Sequence, residues 1–313
     1  YLLVTLTVFS AIFLSEYLPS LFTSNTLPYS PIWVSSGLAL SFYFLYGKRI
    51  TPAIFLASCT GVFLNFQETT LANALVYSVF HALCLTLPTL SILLFFRHFS
   101  AKENPLKNSN NLMIFLGLCA AIALISATLI NINFNTFIKL NNLHFEQVLN
   151  LFFSNLMSLI IIPTLYFALQ NRFLNQEKHS FSFEQLAWLS ACLILALASN
   201  PLEYTFLIFT IPLLMWSSTR LNQLDCVFSV IITTLLVLND LPPTLNYTLD
   251  ILPQYDLHIA WLVLIITTLY LNTLRLDHRK IAANLEEMVL LRTQELQTAN
   301  LELKDEAYVR EQA

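Results

Sequence analysis

Six polar side chains stand at places where an apolar chain can do little with them except hold a ligand or each other. His81 lies about ten residues into a long apolar run, 71–96, and Glu16 closes the first run, 2–18. Glu203 sits between Pro201 and a short turn, and Asn65, Asn73 and Asn155 lie in or beside neighbouring runs. An ionisable group in the middle of a bilayer-length run is costly and faces the interior of a helix bundle. His81 is therefore a candidate for a ligand pocket or for holding a proton. A neutral histidine bonded to a neighbouring helix is the plainer alternative. Glu16 and Glu203 are candidates to line an outward-facing pocket with Asn65, Asn73 or Asn155.

Bond-making chemistry is missing from the chain. It has no GxxxxGK[ST], no H-E-x-x-H, no G-x-S-x-G and no GGDEF-like motif. Cys59, Cys84, Cys119, Cys192 and Cys226 form no C-x-x-C pair and sit in or at the edge of apolar runs, as buried inert thiols do. His98, His144, His179, His258 and His278 lack the spacing of metal ligands. No metal and no cofactor are expected here, and ATP and magnesium would belong only to a kinase domain further along. His278 is rejected as a phosphoacceptor because it lies too close to the bilayer and no ATP-binding motif accompanies it.

The elements that must position the six side chains follow from composition. The chain has 313 residues, 56% of them hydrophobic and only 11% charged. Soluble domains carry about a quarter charged residues, so a soluble enzyme is excluded, as is a disordered chain. A net charge of −4 offers no basic face to nucleic acid. Ten apolar runs approach the roughly 20 residues that a bilayer-spanning helix needs. They are 2–18, 31–46, 50–66, 71–96, 112–130, 147–169, 185–199, 202–216, 226–238 and 257–274. The runs are continuous rather than alternating, which excludes a barrel. Three of them, 185–199, 202–216 and 226–238, are short, so eight spans is the alternative count.

The positive charges choose a side. With ten spans and both ends in the cytoplasm, fourteen of the fifteen Lys and Arg lie inside, and only Lys139 lies outside. The outer segments then carry Glu16, Glu68, Glu146, Glu203, Asp240, Asp250 and Asp256. Gly37 and Gly61 permit close helix approach. Pro88, Pro163 and Pro212 interrupt runs and free carbonyls that a neighbour or a ligand must satisfy. Lys48, Arg49 and Arg220 fall at the inner edge, where they fix topology and meet lipid phosphates or Asp225. Trp33 falls at the outer edge and Trp216 at the inner one, as interfacial anchors.

The last 39 residues hold six Lys/Arg and eight Asp/Glu. With no Gly or Pro after Pro253, the final span can run on as one helix from about Leu257. A coiled-coil seam follows Leu274, His278, Ile281 and Leu285, then Val289, Arg292, Leu296, Ala299 and Leu303. Two steps of four meet at Leu285, a stutter that locally unwinds a left-handed coil. Arg292 occupies a seam position where an apolar residue packs better. Both features suit a coil with two nearly equal packings. The chain opens on Tyr1 and stops at Ala313 inside a helical pattern, so further residues are expected at both ends.

Two clusters carry a resemblance. The first is Trp33-Val34-Ser35-Ser36-Gly37-Leu38-Ala39 with Gly47-Lys48-Arg49-Ile50-Thr51-Pro52; the second is Pro212-Leu213-Leu214-Met215-Trp216 with Arg220. Asn155 and Pro163 support them. Together they resemble the first type of membrane-associated sensor domain, the MASE family, over about residues 1–275. The family usually has Pro where this chain has Val34. The tail, with Val289, Arg292-Thr293, Glu295-Leu296, Asn300 and Leu303, resembles the linker that precedes PAS or kinase cores in bacterial sensors.

The resemblance implies an input module feeding a histidine kinase, a diguanylate cyclase or a PAS domain. The expected fold is an all-α polytopic membrane protein: a sensor domain of about ten transmembrane helices over 1–274, then a continuous cytoplasmic coiled-coil helix over 275–313. The expected function is the sensory input of a bacterial two-component histidine kinase in the inner membrane. A diguanylate cyclase output and a secondary transporter are the alternatives. Expected partners are membrane lipids, a second copy through the coiled coil, an unidentified ligand and a response regulator.

Overall fold

The structure is a computed structural model, and it describes residues 2–22, 33–65, 70–100, 104–138, 145–175, 183–202, 206–239 and 252–312. Among them there are ten α-helices and no strand. They are α1 (Leu2–Phe22), α2 (Val34–Tyr46), α3 (Thr51–Asn65), α4 (Leu71–Phe99) and α5 (Ser109–Ile138). Then come α6 (Phe145–Asn175), α7 (Phe183–Leu202), α8 (Phe206–Arg220), α9 (Gln223–Asn239) and α10 (Leu252–Gln312). Each falls on one of the ten apolar runs.

Ten helices are not ten demonstrated crossings. Among the described residues four stretches are long and apolar enough to span a membrane: Leu71–Phe99, Ser109–Asn133, Val148–Phe173 and Ile259–Lys304. Leu2–Tyr17, Phe183–Leu195 and Gln223–Leu236 are apolar but shorter.

Two large apolar cores, beside two smaller clusters, hold the described bundle together. One lies among α1 to α4, around Val8, Ile12, Tyr43, Ile54 and Leu85. The larger lies among α4, α5, α6, α8, α9 and α10, around Phe96, Phe115, Leu159, Val227 and Ile265. Helices α1 and α3 pack together, α3 on α4, α4 on α5, and α5 on α6, while α2 lies against both α6 and α4. Helix α10 packs on α8, α9 and α5.

Glycine and proline set the close fits. A Cβ on Gly37 would stand 2.3 Å from the Ser158 carbonyl oxygen, so only glycine lets α2 lie this close to α6. Between α2 and α3, Gly47 takes a positive φ of 73°, which a side chain resists. Pro88 and Pro163 each lack the N–H that would bond four residues back. The two carbonyls left over, of Cys84 and Leu159, both find donors on α5. Ser126 Oγ donates to the Cys84 oxygen at 3.1 Å, and Cys119 Sγ to the Leu159 oxygen at 3.7 Å. The neighbour-helix solution expected from sequence is thus the one used at both prolines.

Helix α10 starts at Leu252 with Pro253 in its first turn, where a missing N–H costs nothing. Its 61 residues make a rod of about 90 Å. Trp261, Ile265 and Leu269 are buried in the bundle, whereas His278 to Lys304 are exposed throughout. The helix therefore leaves the bundle without a break.

Candidate functional site

Near the end of α1, one carboxylate oxygen collects polar groups from three other segments. Glu16 Oε1 accepts the Trp33 indole N–H at 3.4 Å and the Ser58 hydroxyl at 3.4 Å. His81 Nε2 stands 3.9 Å from the same oxygen. The His81 and Glu16 side chains are only 4% and 7% exposed. Asn65 Nδ2 donates to the Glu16 backbone carbonyl at 3.2 Å, tying the end of α3 to α1. Gly61 makes this approach possible, because a Cβ there would lie 2.9 Å from the Glu16 Cβ.

Trp33 is held from below and above. Its backbone N–H donates to the Ser154 carbonyl of α6 at 3.3 Å, and the Gly37 N–H donates to Ser158 Oγ at 3.0 Å. These bonds satisfy N–H groups at the start of α2 that have no partner within the helix. The Trp33 ring stacks on His81 with centroids 5.1 Å apart, and Tyr77 lies 6.0 Å from His81 on its other approach. Asn133 Nδ2 of α5 donates to the Tyr77 carbonyl at 3.3 Å.

The contacts on the carboxylate are loose. Hydrogen bonds to a charged group normally run at about 2.7–2.9 Å, so 3.4–3.9 Å leaves Oε1 underbonded. Neither ring nitrogen of His81 has a hydrogen-bond partner, and the buried Asn133 Oδ1 and Asn155 Oδ1 have none either. Unpartnered buried polar atoms are costly and are rare in finished cores.

Of the six side chains picked out in the sequence, Glu16, His81 and Asn65 come together. Asn155 follows Ser154, which bonds Trp33, and is buried. Asn73 is exposed on the first turn of α4 and stays out of the group. Glu203 lies outside the described residues. Trp33, expected as an interfacial anchor, is half-buried and also joins this group, stacked on His81. Ser58 and Tyr77 were missed. Their signal was positional. Ser58, Gly61 and Asn65 share one face of α3 at steps of three and four, and Tyr77 precedes His81 by one turn.

The motif residues elsewhere lie away from this group. Pro52, Arg49, Pro212 and Arg220 are exposed on the single chain, Pro163 is buried, and Trp216 packs against the cluster around Trp188.

At the stalk end, α10 is fastened by polar side chains. Asn272 Nδ2 donates to the Ser218 carbonyl at 3.1 Å, and Arg275 Nη2 donates to the Leu221 carbonyl, both at the end of α8. Asp277 Oδ2 accepts the Ser109 N–H at 2.6 Å, capping the first turn of α5 from outside. Lys280 Nζ donates to the Lys107 carbonyl at 2.9 Å. Beyond this, Leu285, Val289, Leu296 and Leu303 are all exposed, and Arg292 pairs with Glu295 within the helix at 2.6 Å.

A sequence profile of MASE1, the family the motifs resemble, matches residues 2–276. The chain belongs to the MASE1 family. MASE1 is a membrane sensory domain found in histidine kinases and diguanylate cyclases. The match ends one residue before Asp277, so the family covers the bundle and the buried part of α10 and leaves out the exposed stalk. No curated protein and no solved structure matches the chain.

Proposed function

We propose that this MASE1 domain is the input module of a two-component sensor histidine kinase in a bacterial inner membrane. In this reading ten spans leave both ends in the cytoplasm. The group around Glu16 and His81, with Asn65 and Asn155, receives the stimulus. The observation that carries the proposal is α10, buried in the bundle at Trp261, Ile265 and Leu269 and continuous into the stalk.

The route from site to stalk is physical. Helices α2 and α4 hold Trp33 and His81 and pack on α6 and α5. Helix α5 in turn meets α10 through Ser109 and Asp277. Two chains pair through Leu285, Val289, Leu296 and Leu303, with Arg292 keeping the seam between two packings. A stimulus shifts output only if it binds one packing better than the other. A downstream kinase domain brings ATP and magnesium, and a response regulator receives the phosphate.

The test is autophosphorylation of the intact receptor from labelled ATP. Acid-labile phosphate on a histidine is expected. A cyclic dinucleotide made from GTP, with no phosphohistidine, would replace the kinase by a cyclase and leave the sensor role in place. Solute uptake by proteoliposomes without either activity would replace the sensor by a transporter.

A further inference from the structure

We propose that Glu16 and His81 form a proton-reading pair, in which uptake of one proton by His81 draws its ring onto the Glu16 carboxylate. This inference rests on the sensory reading above and, in the proposed topology, names the stimulus as acidity on the outer side of the membrane. The pair stands open in the structure. His81 Nε2 lies 3.9 Å from Glu16 Oε1, too far for a hydrogen bond, and neither ring nitrogen has a hydrogen-bond partner. The plainer role for a histidine in a helix bundle, a neutral ring bonded to a neighbouring helix, is therefore not the one His81 plays.

A single proton repairs both ends of the gap. A neutral imidazole has one donor and one acceptor, whereas an imidazolium has two donors. Glu16 Oε1 is already an acceptor, taking the Trp33 indole N–H and the Ser58 hydroxyl at 3.4 Å each. The protonated ring needs to move only about 1 Å to reach the distance of a charge-assisted hydrogen bond. The proton comes from solution, adds to the lone pair of the ring and breaks no other bond. Charge argues the same way, because a buried carboxylate is costly without a cation beside it. Helices α2, α3 and α5 pack on α4, and α1 packs on α2 and α3. At this end their titratable side chains, besides the pair, are Tyr17 on α1, Cys59 on α3, and Tyr77 and Cys84 on α4, and none of these becomes a cation. Ser35 and Ser36 of α2 and Ser126 and Asn133 of α5 do not titrate. Among the described residues of α1 to α5 the only Lys or Arg is Arg97, about four turns beyond His81 along α4. Among these residues, His81 is the one group beside Glu16 that can become its cation. The Trp33 ring stacks on His81 at 5.1 Å, and the Trp33 backbone N–H is tied to Ser154 of α6 at 3.3 Å. A ring drawn toward Glu16 thus disturbs a stack that is anchored on α6.

The experiment uses that stack. An imidazolium quenches the fluorescence of an indole stacked on it, and a neutral imidazole does so far less. Tryptophan fluorescence of the full-length receptor in lipid nanodiscs is followed between about pH 8 and about pH 5, the range in which histidine changes charge. Subtracting the same titration of Trp33→Phe isolates the Trp33 signal. Quenching of Trp33 on acidification is expected, and His81→Gln is expected to abolish it. Glu16→Gln removes the negative charge that favours the imidazolium, so the midpoint should fall by about one pH unit or more. Melting curves confirm that the variants fold. If either His81→Gln or Glu16→Gln does not fold, the other carries the test.

No quenching of Trp33 across this range overturns the proposal. So does quenching that survives in His81→Gln, or a midpoint that Glu16→Gln leaves in place or raises. Autophosphorylation followed over the same range separates this failure from that of the sensory reading. Output that tracks the wild-type midpoint, and no longer does so in His81→Gln, is expected. If Trp33 titrates through His81 but output is indifferent to it, the proton site stands and the sensory reading falls. If Trp33 does not titrate while Glu16→Gln still changes output, the proton falls and the sensory site stands.

Discussion

The two ends of the bundle handle polar groups in opposite ways. At the Glu16 end, three groups approach one carboxylate oxygen at 3.4–3.9 Å, and both His81 ring nitrogens lack a hydrogen bond. At the stalk end, Asp277 and Lys280 make bonds of 2.6 and 2.9 Å to the backbone around the start of α5. The partners differ in kind as well as length. The loose end joins side chain to side chain, where rotamers can readjust. The tight end joins side chain to helix-end backbone, where a donor or acceptor must be satisfied whatever the neighbouring side chains do. A receptor needs this contrast, with a yielding end to take up a stimulus and a fixed end to deliver it.

The largest expected effect comes from the close fit that supports the loose end. Gly37→Val forces α2 off α6, because even a Cβ meets the Ser158 carbonyl at 2.3 Å. A loss of about 3 kcal/mol or more is expected, at the upper end of overpacking costs, seen as a drop in melting temperature in nanodiscs. An unchanged melt would mean that α2 is not seated on α6. The next effect tests the tight end. Asp277→Ala removes an external cap from α5, and a loss of about 1 kcal/mol is expected. Thiols placed at Leu285 and Val289 should then cross-link between copies in proportions that no longer follow the state of the bundle. If those proportions are unchanged, α5 is not the delivery point.

Ser126→Ala leaves the Cys84 carbonyl without its donor beside Pro88, and about 1 kcal/mol is expected to be lost. Trp33→Phe keeps the stacking on His81 and deletes one long hydrogen bond, so its stability cost should stay below about 1 kcal/mol. A large destabilisation by Trp33→Phe would show that the Glu16 end is as tightly built as the other, and the contrast would fail. The smallest thermal effect belongs to Arg292→Leu. Its ion pair with Glu295 is exposed and of little worth, so the bundle melt should not move. The receptor output should instead lock in one state, and an output that still responds would remove Arg292 from the switching step.

Much of this fold is legible in the chain. Continuous apolar runs, each ended by polar or proline-containing segments, gave all ten helices, and the absence of Gly and Pro after Pro253 gave the long α10. Local physics is enough for both, because a helix satisfies its backbone within itself. The site was only half legible. Glu16 and His81 stand out because ionisable groups are rare in such runs. Trp33 does not, since an aromatic residue at a helix start is also what an interface prefers. What ties it to this group is its own N–H bond to Ser154, beside the Gly37 bond to Ser158, and no local pattern announces either. The number of crossings is harder still to read, because α8 and α9 are short and, among the described residues, four helices are long and apolar enough to cross.

The two prolines of α4 and α6 lend α5 an unexpected part. Through Ser126 and Cys119 it is bonded at two heights to the carbonyls freed by the prolines of its two neighbours, and through Ser109 it is bonded to α10. Such a helix is keyed like a shaft. Sliding it along its axis by one turn, about 5.4 Å, would shear all three pins together, whereas tilting or slight rotation about the pins keeps them.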